Sequence, residues 1–355
     1  MKRENQLVVA LLQADAREEI EAILQKPIDW QNFLQMAEKH KVVPLVFQNL
    51  ENYSAYVPAE FFEEIRTRCR KLAAKNLGKT LHLLKLGELF RMNDVPFIAY
   101  KGAALAAFAY KDVSLRQFTD LDLLIRKKDF PFVKRLIVEN GGEPGWKLTA
   151  KEEKAVLKYY YEYPFVFGEN KTLVEIHWHL LESFFAFDFE TEKLFARAEN
   201  VFLYGKSVPT LNAADALVVA TAHGSKHFWK RLAWICDIGK LIETNEIDWS
   251  AAFELARRFG SLRMLRLGLL LASDVLKCSL PDEIRREIER DGEVKFLTAA
   301  LKNTLFEENN KFAGMKMAKT HLKMRERVGD KIKYSKRLLQ TKMIDSLFMP
   351  MGRPR

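Results

Sequence analysis

Residues 96–125, PFIAYKGAALAAFAYKDVSLRQFTDLDLLI, constrain this chain more than any other stretch. They read as an apolar strand, a Lys101-Gly102 turn, a short helix, and a second strand in which one leucine separates Asp120 from Asp122. Successive side chains of a strand point to opposite faces, so the two aspartates share a face while Leu121 and Leu123 enter the core. Two carboxylates fixed side by side repel each other unless a cation lies between them. A divalent metal is the cation that usually fills that role.

A second group of polar residues follows. Residues 162–167 and 172–178 read as a hairpin around Gly168-Glu169-Asn170-Lys171, whose second strand places Glu175, His177 and His179 on one face and Val174, Ile176 and Trp178 on the other. Helical sequence resumes at Leu211 with Asn212 as its cap, and it carries His223, His227, Arg231, Trp234 and Asp237 at steps of three or four along one face. The spacing His-x-x-x-His matches that of zinc proteases, but Gly224-Ser225-Lys226 between the histidines supplies no glutamate base. A metalloprotease is therefore set aside.

Strand, glycine turn, helix and Asp-x-Asp strand resemble the active-site layout of the nucleotidyltransferase superfamily that includes DNA polymerase beta. The segments KGAALA (101–106), RQFTDLDLLI (116–125), VEIHWHL (174–180) and AHGSKHFWKRLAWICDIGKLI (222–242), with DWQNFLQMAEKHKVVPLVF (29–47), resemble more narrowly a bacterial family of uncharacterised nucleotidyltransferases. The resemblance implies transfer of a nucleoside monophosphate from a nucleoside triphosphate to a hydroxyl or phosphate of an acceptor, with release of pyrophosphate. It further implies that Asp120, Asp122 and Glu175 hold Mg2+, or Mn2+, and that Glu175 helps to deprotonate the attacking hydroxyl. Superfamily members usually show Gly-Gly or Gly-Ser at the turn, and reach their aspartates sooner. Here the pair is Gly102-Ala103 and seventeen residues separate Gly102 from Asp120, so a phosphate-binding hydroxyl is missing and Lys101 is the candidate replacement.

Each of these residues also has a plainer reading. Gly102 lets the backbone approach a ligand and open a helix whose N–H groups favour phosphate, or it is a structural glycine beside a strand-end lysine. Arg116 grips phosphate, or pairs with the aspartates and holds them in place. His177 and His179 read as side chains that orient carboxylates, with direct ligation of zinc or manganese as the alternative. The His223, His227, Arg231 and Asp237 stripe reads as a wall of the nucleotide cleft, or as a packing network in which Asp237 pairs with Arg231 or His227.

The remaining sequence sets the frame. The chain has 355 residues, enough for one large or two modest domains. The expected fold is α+β, with a helical N-terminal segment (1–90), a mixed-sheet nucleotidyltransferase core (91–205) and a helical C-terminal region (206–355) ending in a basic tail. Asp29 reads as the cap of a helix with Trp30, Phe33, Leu34 and Ala37 on its apolar stripe. A second stripe runs through Leu77, Leu81, Leu84, Leu86, Leu89 and Phe90. The N-terminal segment contains no cluster of chemically useful residues, so it is expected only to cover the sheet. Asp129 reads as the cap of a helix that buries Phe130, Val133, Leu136 and Ile137.

Residues 311–355 carry thirteen Lys and Arg against three acids, which equals the whole formal net charge of +10. Such a tail invites an RNA or anionic-membrane partner. The spacing of Met315, Leu322, Val328, Ile332, Leu338 and Leu339 instead predicts helices packed inward with a solvated basic face. No signal peptide or membrane span is read, and Cys69, Cys236 and Cys278 read as buried thiols, which points to the cytoplasm. The alternatives to a transferase are an inactive nucleotide-binding or scaffold module and an RNA-binding or RNA-end-modifying protein. The acceptor is not named by the sequence, a small molecule or peptide being favoured over RNA.

Overall fold

The computed structural model describes residues 1–169, 171–181, 185, 190–307 and 315–348, without the side chains of 315–317 and 341–348. Five strands form one sheet: β1 (Phe97–Ala99), β2 (Asp120–Ile125), β3 (Gly142–Pro144), β4 (Glu162–Phe167) and β5 (Thr172–His177), in the order β1-β2-β5-β4-β3. β2 and β5 run parallel and the other neighbours antiparallel, so the sheet is mixed. β6 (Glu199–Leu203) and β7 (Lys206–Thr210) make a separate hairpin, tied to β1 where Thr210 Oγ1 donates to the Ala99 carbonyl at 2.8 Å. Helices lie before, between and after the strands, which gives the expected α+β class.

Local sequence explains much of this. Asp29 accepts from Asn32 N–H and opens the helix Trp30–Lys39, which buries Phe33, Leu34 and Ala37. Asn212 does the same for the helix Ala213–Lys226 through Asp215 N–H. Asp129 precedes the helix Phe130–Glu139 without a side-chain cap bond, although Phe130, Val133, Leu136 and Ile137 are all buried. The helix Ala59–Met92 buries Leu83, Leu84, Leu86 and Phe90 but leaves Leu77 and Leu81 exposed. Its polar residues have a different task. Asn76 Nδ2 donates to the carbonyls of Val113 and Arg116, both at 2.8 Å, and Lys79 Nζ donates to that of Phe118 at 2.9 Å. The loop leading into β2 is thereby fastened to the N-terminal segment.

Two expectations fail on packing. The stripe from His223 to Asp237 does not lie on one helix: it is divided between Ala213–Lys226 and Leu232–Thr244, with left-handed backbone at Phe228 (φ 56°) and Trp229 (φ 51°) in the break. Trp229 is fully buried where Gly224 and Gly268 leave room, since a Cβ on either would meet its ring at 2.5 and 2.9 Å. Burying an aromatic ring of this size offsets the strain of one or two left-handed residues, each costing on the order of 1–3 kcal/mol.

In the C-terminal region Val328, Ile332 and Leu339 are exposed, and Leu322 and Leu338 only half-buried. The side chain of Met315 lies outside the described residues. Arg325 occupies the interior instead. Its guanidinium lies 4.2 Å from the Tyr334 ring centroid and donates to the carbonyls of His321 and Phe185, so the helix Val328–Phe348 turns Tyr334 inward rather than Ile332 or Leu339.

Candidate functional site

The parallel pairing of β2 with β5 sets Asp122 opposite Glu175 and Leu124 opposite His177. With the two-residue period of a strand, this places Asp120, Asp122, Glu175 and His177 on one face of the sheet. Asp122 is 3% exposed. Lys101 Nζ donates to its Oδ1 at 2.8 Å, and His177 Nε2 approaches the same oxygen at 3.2 Å without hydrogen-bond alignment. His177 Nε2 lies 3.5 Å from Glu175, and its Nδ1 lies 3.5 Å from Glu162.

The charges of this floor are mutually dependent. Burial works against the Lys101 ammonium, but Asp122 outweighs it and holds the lysine well above its ordinary pKa. Burial likewise opposes a charge on His177, and Asp122, Glu175 and Glu162 overcome it to hold the imidazole at about 9. Asp122 remains ionised below the usual carboxylate range: burial opposes this, and Lys101 and His177 more than offset it. Asp120 behaves in the opposite way. Burial and the like charges of Asp122 and Glu175 raise its pKa, and among the described residues no cation pairs with it.

Gly102 is required by geometry. Its φ is +53°, and a Cβ there would lie 2.9 Å from the Asp120 carbonyl oxygen. Its close approach is thus to the start of β2, which corresponds to the structural-glycine reading. The helix it opens spans only Gly102–Leu105 before widening into a π turn over Ala106–Tyr110.

Arg116 pairs with neither aspartate of β2. Its Nε and Nη2 donate to Asp237 Oδ1 and Oδ2 at 2.7 and 2.9 Å, and Tyr110 Oη donates to the same carboxylate at 2.7 Å. Asp237 is accordingly not the partner of Arg231 or His227. Burial opposes the Arg116 charge, and Asp237 outweighs it and raises the pKa. His227 stacks on Trp234 with centroids 4.9 Å apart and planes at 22°, and the Arg231 guanidinium lies 5.3 Å from the Trp234 centroid. His223 meets His227 edge-on at 4.7 Å, and burial, then the Lys101 charge, keeps it neutral.

These groups share one cavity of about 410 Å³. Lys101, Gly102, Arg116, Asp120 and Asp122 line it together with His223, His227, Arg231 and Trp234. Glu175 and Asp237 do not line it: Asp237 holds Arg116, and Glu175 lies 3.5 Å from His177 Nε2. His179 lies past the end of β5, where its N–H donates to the Tyr161 carbonyl at 3.3 Å, outside the group formed by Asp122, Glu175 and His177. Two lining cations, Lys41 and Lys230, have no place in the sequence reading. For Lys41 the available signal was its position in the 29–47 segment that carries the family resemblance. A larger cavity of about 990 Å³, lined by Asn5, Met36, Lys39, Asp274, Lys302 and Phe306 among others, lacks a carboxylate pair on a strand.

The donor set fits a divalent metal. Ligand atoms of Asp122, Glu175 and His177 lie within 4.8 Å of one another. Asp122 Oδ2 is buried without a hydrogen bond while Oδ1 is engaged by Lys101, so one oxygen is bonded and the other is oriented and unsatisfied. Carboxylate oxygens suit magnesium and manganese, imidazole suits zinc and manganese, and His177 offers its lone pair only once its proton has left; Asp120 lies outside this group.

A mixed sheet thus carries paired carboxylates on one strand, a third opposite them and a cationic helical wall. The family model described as uncharacterised nucleotidyltransferase matches residues 26–277, which include the floor, both wall helices and Lys41, and the chain belongs to that family. No curated protein matches the chain.

Proposed function

We propose that the protein is a metal-dependent nucleotidyltransferase of the polymerase-beta-like superfamily. It moves a nucleoside monophosphate from a nucleoside triphosphate to a hydroxyl or phosphate of a small-molecule or peptide acceptor. The observation that carries this reading is the unsatisfied Asp122 Oδ2 beside the unpaired, charge-crowded Asp120, in a cavity shared with cations. Asp120 and Asp122 hold the metal, Mg2+ or Mn2+, and Glu175 completes the set. A divalent ion bound there neutralises the charge that develops on the phosphate oxygens.

The chain's own residues do the rest. Lys101 fixes the Asp122 carboxylate through Oδ1 and leaves Oδ2 without a hydrogen bond, so it acts as a positioning residue rather than as a phosphate ligand. His177 braces the same carboxylate against Glu175. The Arg116–Asp237–Tyr110 cluster joins the loop before β2 to the wall helix, and His223, His227, Arg231 and Trp234 line the nucleotide side. In the reaction the acceptor oxygen bonds to the α-phosphorus, its proton passes to a floor carboxylate, and pyrophosphate leaves with the electron pair of the broken P–O bond.

The test offers each of the four nucleoside triphosphates, with Mg2+ or Mn2+, to small-molecule, peptide and RNA pools and reads pyrophosphate. Metal-dependent release that needs one acceptor pool, and that Asp120→Asn abolishes, is the expected result. Nucleotide binding without release in any pool would favour the inactive binding module, a reading that the Lys101–Asp122 salt bridge also permits. Release only with RNA would move the acceptor to the basic tail. Among the described residues no helix is long and apolar enough to cross a membrane, and our reading places the enzyme in the cytoplasm.

A further inference from the structure

The cations of the cavity fall into two groups. Lys101 and Arg116 are each neutralised by an aspartate and Lys226 lies 5.7 Å from the Tyr161 ring centroid, whereas Lys41, Lys230 and Arg231 have no carboxylate partner among the described residues. Lys41 comes from the N-terminal segment, at the turn between helices Trp30–Lys39 and Val43–Leu50, with left-handed backbone at φ 56°. It is half-buried. Burial lowers its pKa, Arg231, Arg116 and Lys79 lower it further, and Asp120 supports its charge.

This arrangement is built rather than incidental. His40, fully buried, accepts the Leu232 N–H on Nδ1 at 3.2 Å, and its carbonyl accepts the Ala233 N–H at 3.2 Å. Those are the first N–H groups of the helix Leu232–Thr244, which lack partners within the helix, and Arg231 is its cap residue. Lys41 and Arg231 are therefore held on one joint. Bringing cations together in a partly desolvated cavity costs free energy unless an anion joins them, and two ammoniums with a guanidinium fork match the oxygens of a polyphosphate.

We infer that Lys41, Lys230 and Arg231 form the site for the terminal phosphates of a nucleoside triphosphate, with the N-terminal segment supplying Lys41. The inference deepens the transferase reading and rests on it for the identity of the ligand, but the site itself is defined by polyphosphate binding. Held there, the β- and γ-phosphates lie at the cationic end of the cavity and leave as pyrophosphate from it.

Calorimetry of the full chain with inorganic tripolyphosphate, without metal, tests this. Lys41→Met and Arg231→Met should each weaken binding tenfold or more, Lys41→Arg should restore most of it, and Lys302→Met in the other large cavity should leave it unchanged. Lys41→Met should also keep or raise the melting temperature, because it removes a crowded charge. A merely structural lysine would lower it. Wild-type affinity in Lys41→Met, or no tripolyphosphate binding by the wild type, overturns the inference. A chain that binds tripolyphosphate through Lys41 yet releases pyrophosphate from no triphosphate keeps this site and loses the transferase reading.

Discussion

The floor and the wall of the cavity are charged in different ways. Asp122, Lys101, His177 and Glu175 come from β2, β5 and the turn after β1, and they compensate one another within a few ångströms. The wall draws on two helices, the break between them and a turn 192 residues before Leu232, and three of its cations, Lys41, Lys230 and Arg231, have no carboxylate partners among the described residues. Compensated charge in a buried place is bound up with stability. Uncompensated charge in a half-open place is a demand for a ligand.

Replacing the two aspartates separately gives the largest expected effect. Asp122→Asn leaves Lys101 without its salt-bridge partner and His177 with Glu175 and Glu162 alone, and should destabilise the fold by about 3–5 kcal/mol, the range for breaking a buried pair. Asp120→Asn relieves like-charge repulsion and should leave stability unchanged or slightly higher, while abolishing metal-assisted binding of a non-hydrolysable triphosphate. Urea unfolding of both variants, with calorimetry on Asp120→Asn, separates these outcomes. Equal stability losses in the two would mean that the floor is not compensated as described.

The same contrast explains what the sequence could reveal. Asp120, Asp122 and Glu175 were legible because a strand has a fixed period, and because β2 and β5 are adjacent and parallel. The grouping of His177 with the carboxylates followed from the same alternation. The partners of Arg116 and Asp237 were not legible, since they lie 121 residues apart and meet only when the wall helix packs on the loop before β2. Nor was the break at residues 227–231, which local helical spacing runs straight through. Trp229 forces it by reaching a space left by Gly224 and Gly268, the latter on another helix. Lys41 was hidden for a related reason: it ends the run Glu38-Lys39-His40-Lys41, which reads as an ordinary solvated helix end, and the cations it meets, Arg231, Arg116 and Lys79, come from distant segments.

A second variant attacks the wall at that break. Gly224→Ala would place a methyl group 2.5 Å from the Trp229 ring, in a part of the core with no free volume. Overpacking of this kind costs about 1–3 kcal/mol and should displace the break, and with it His227 and Arg231. The expected outcome is a lower melting temperature together with weakened tripolyphosphate binding, whereas metal binding at the floor, read by calorimetry, stays close to wild type. Loss of metal binding with polyphosphate binding intact would show that the two regions are coupled in the reverse sense.

The smallest effect is a pH dependence that distinguishes the two regions by sign. Burial and the charges of Lys39 and Arg231 lower the pKa of His40 from 6.5 to about 4. Between those values the unfolded chain binds a proton at His40 and the folded chain does not, so the stability carried by the neutral ring is present above pH 6.5 and is lost as the pH falls toward 4. The loss between pH 6.5 and 5.5 should be about 1 kcal/mol. His177 in the floor runs the other way: its pKa is raised to about 9, so its contribution is present at and below pH 6.5 and disappears on the alkaline side. Acid therefore loosens the joint that holds Lys41 to Arg231, and alkali loosens the carboxylate floor. His40→Asn sharpens the comparison, because the amide oxygen can accept the Leu232 N–H in place of Nδ1 and does not titrate. Unfolding free energies at pH 6.5 and 5.5 should show the wild type losing about 1 kcal/mol more than His40→Asn, with other titrating groups, His223 among them, cancelling in the difference. Equal losses would mean that His40 is not held neutral on the helix it caps, and the joint between the N-terminal segment and the wall would have to be explained by packing alone.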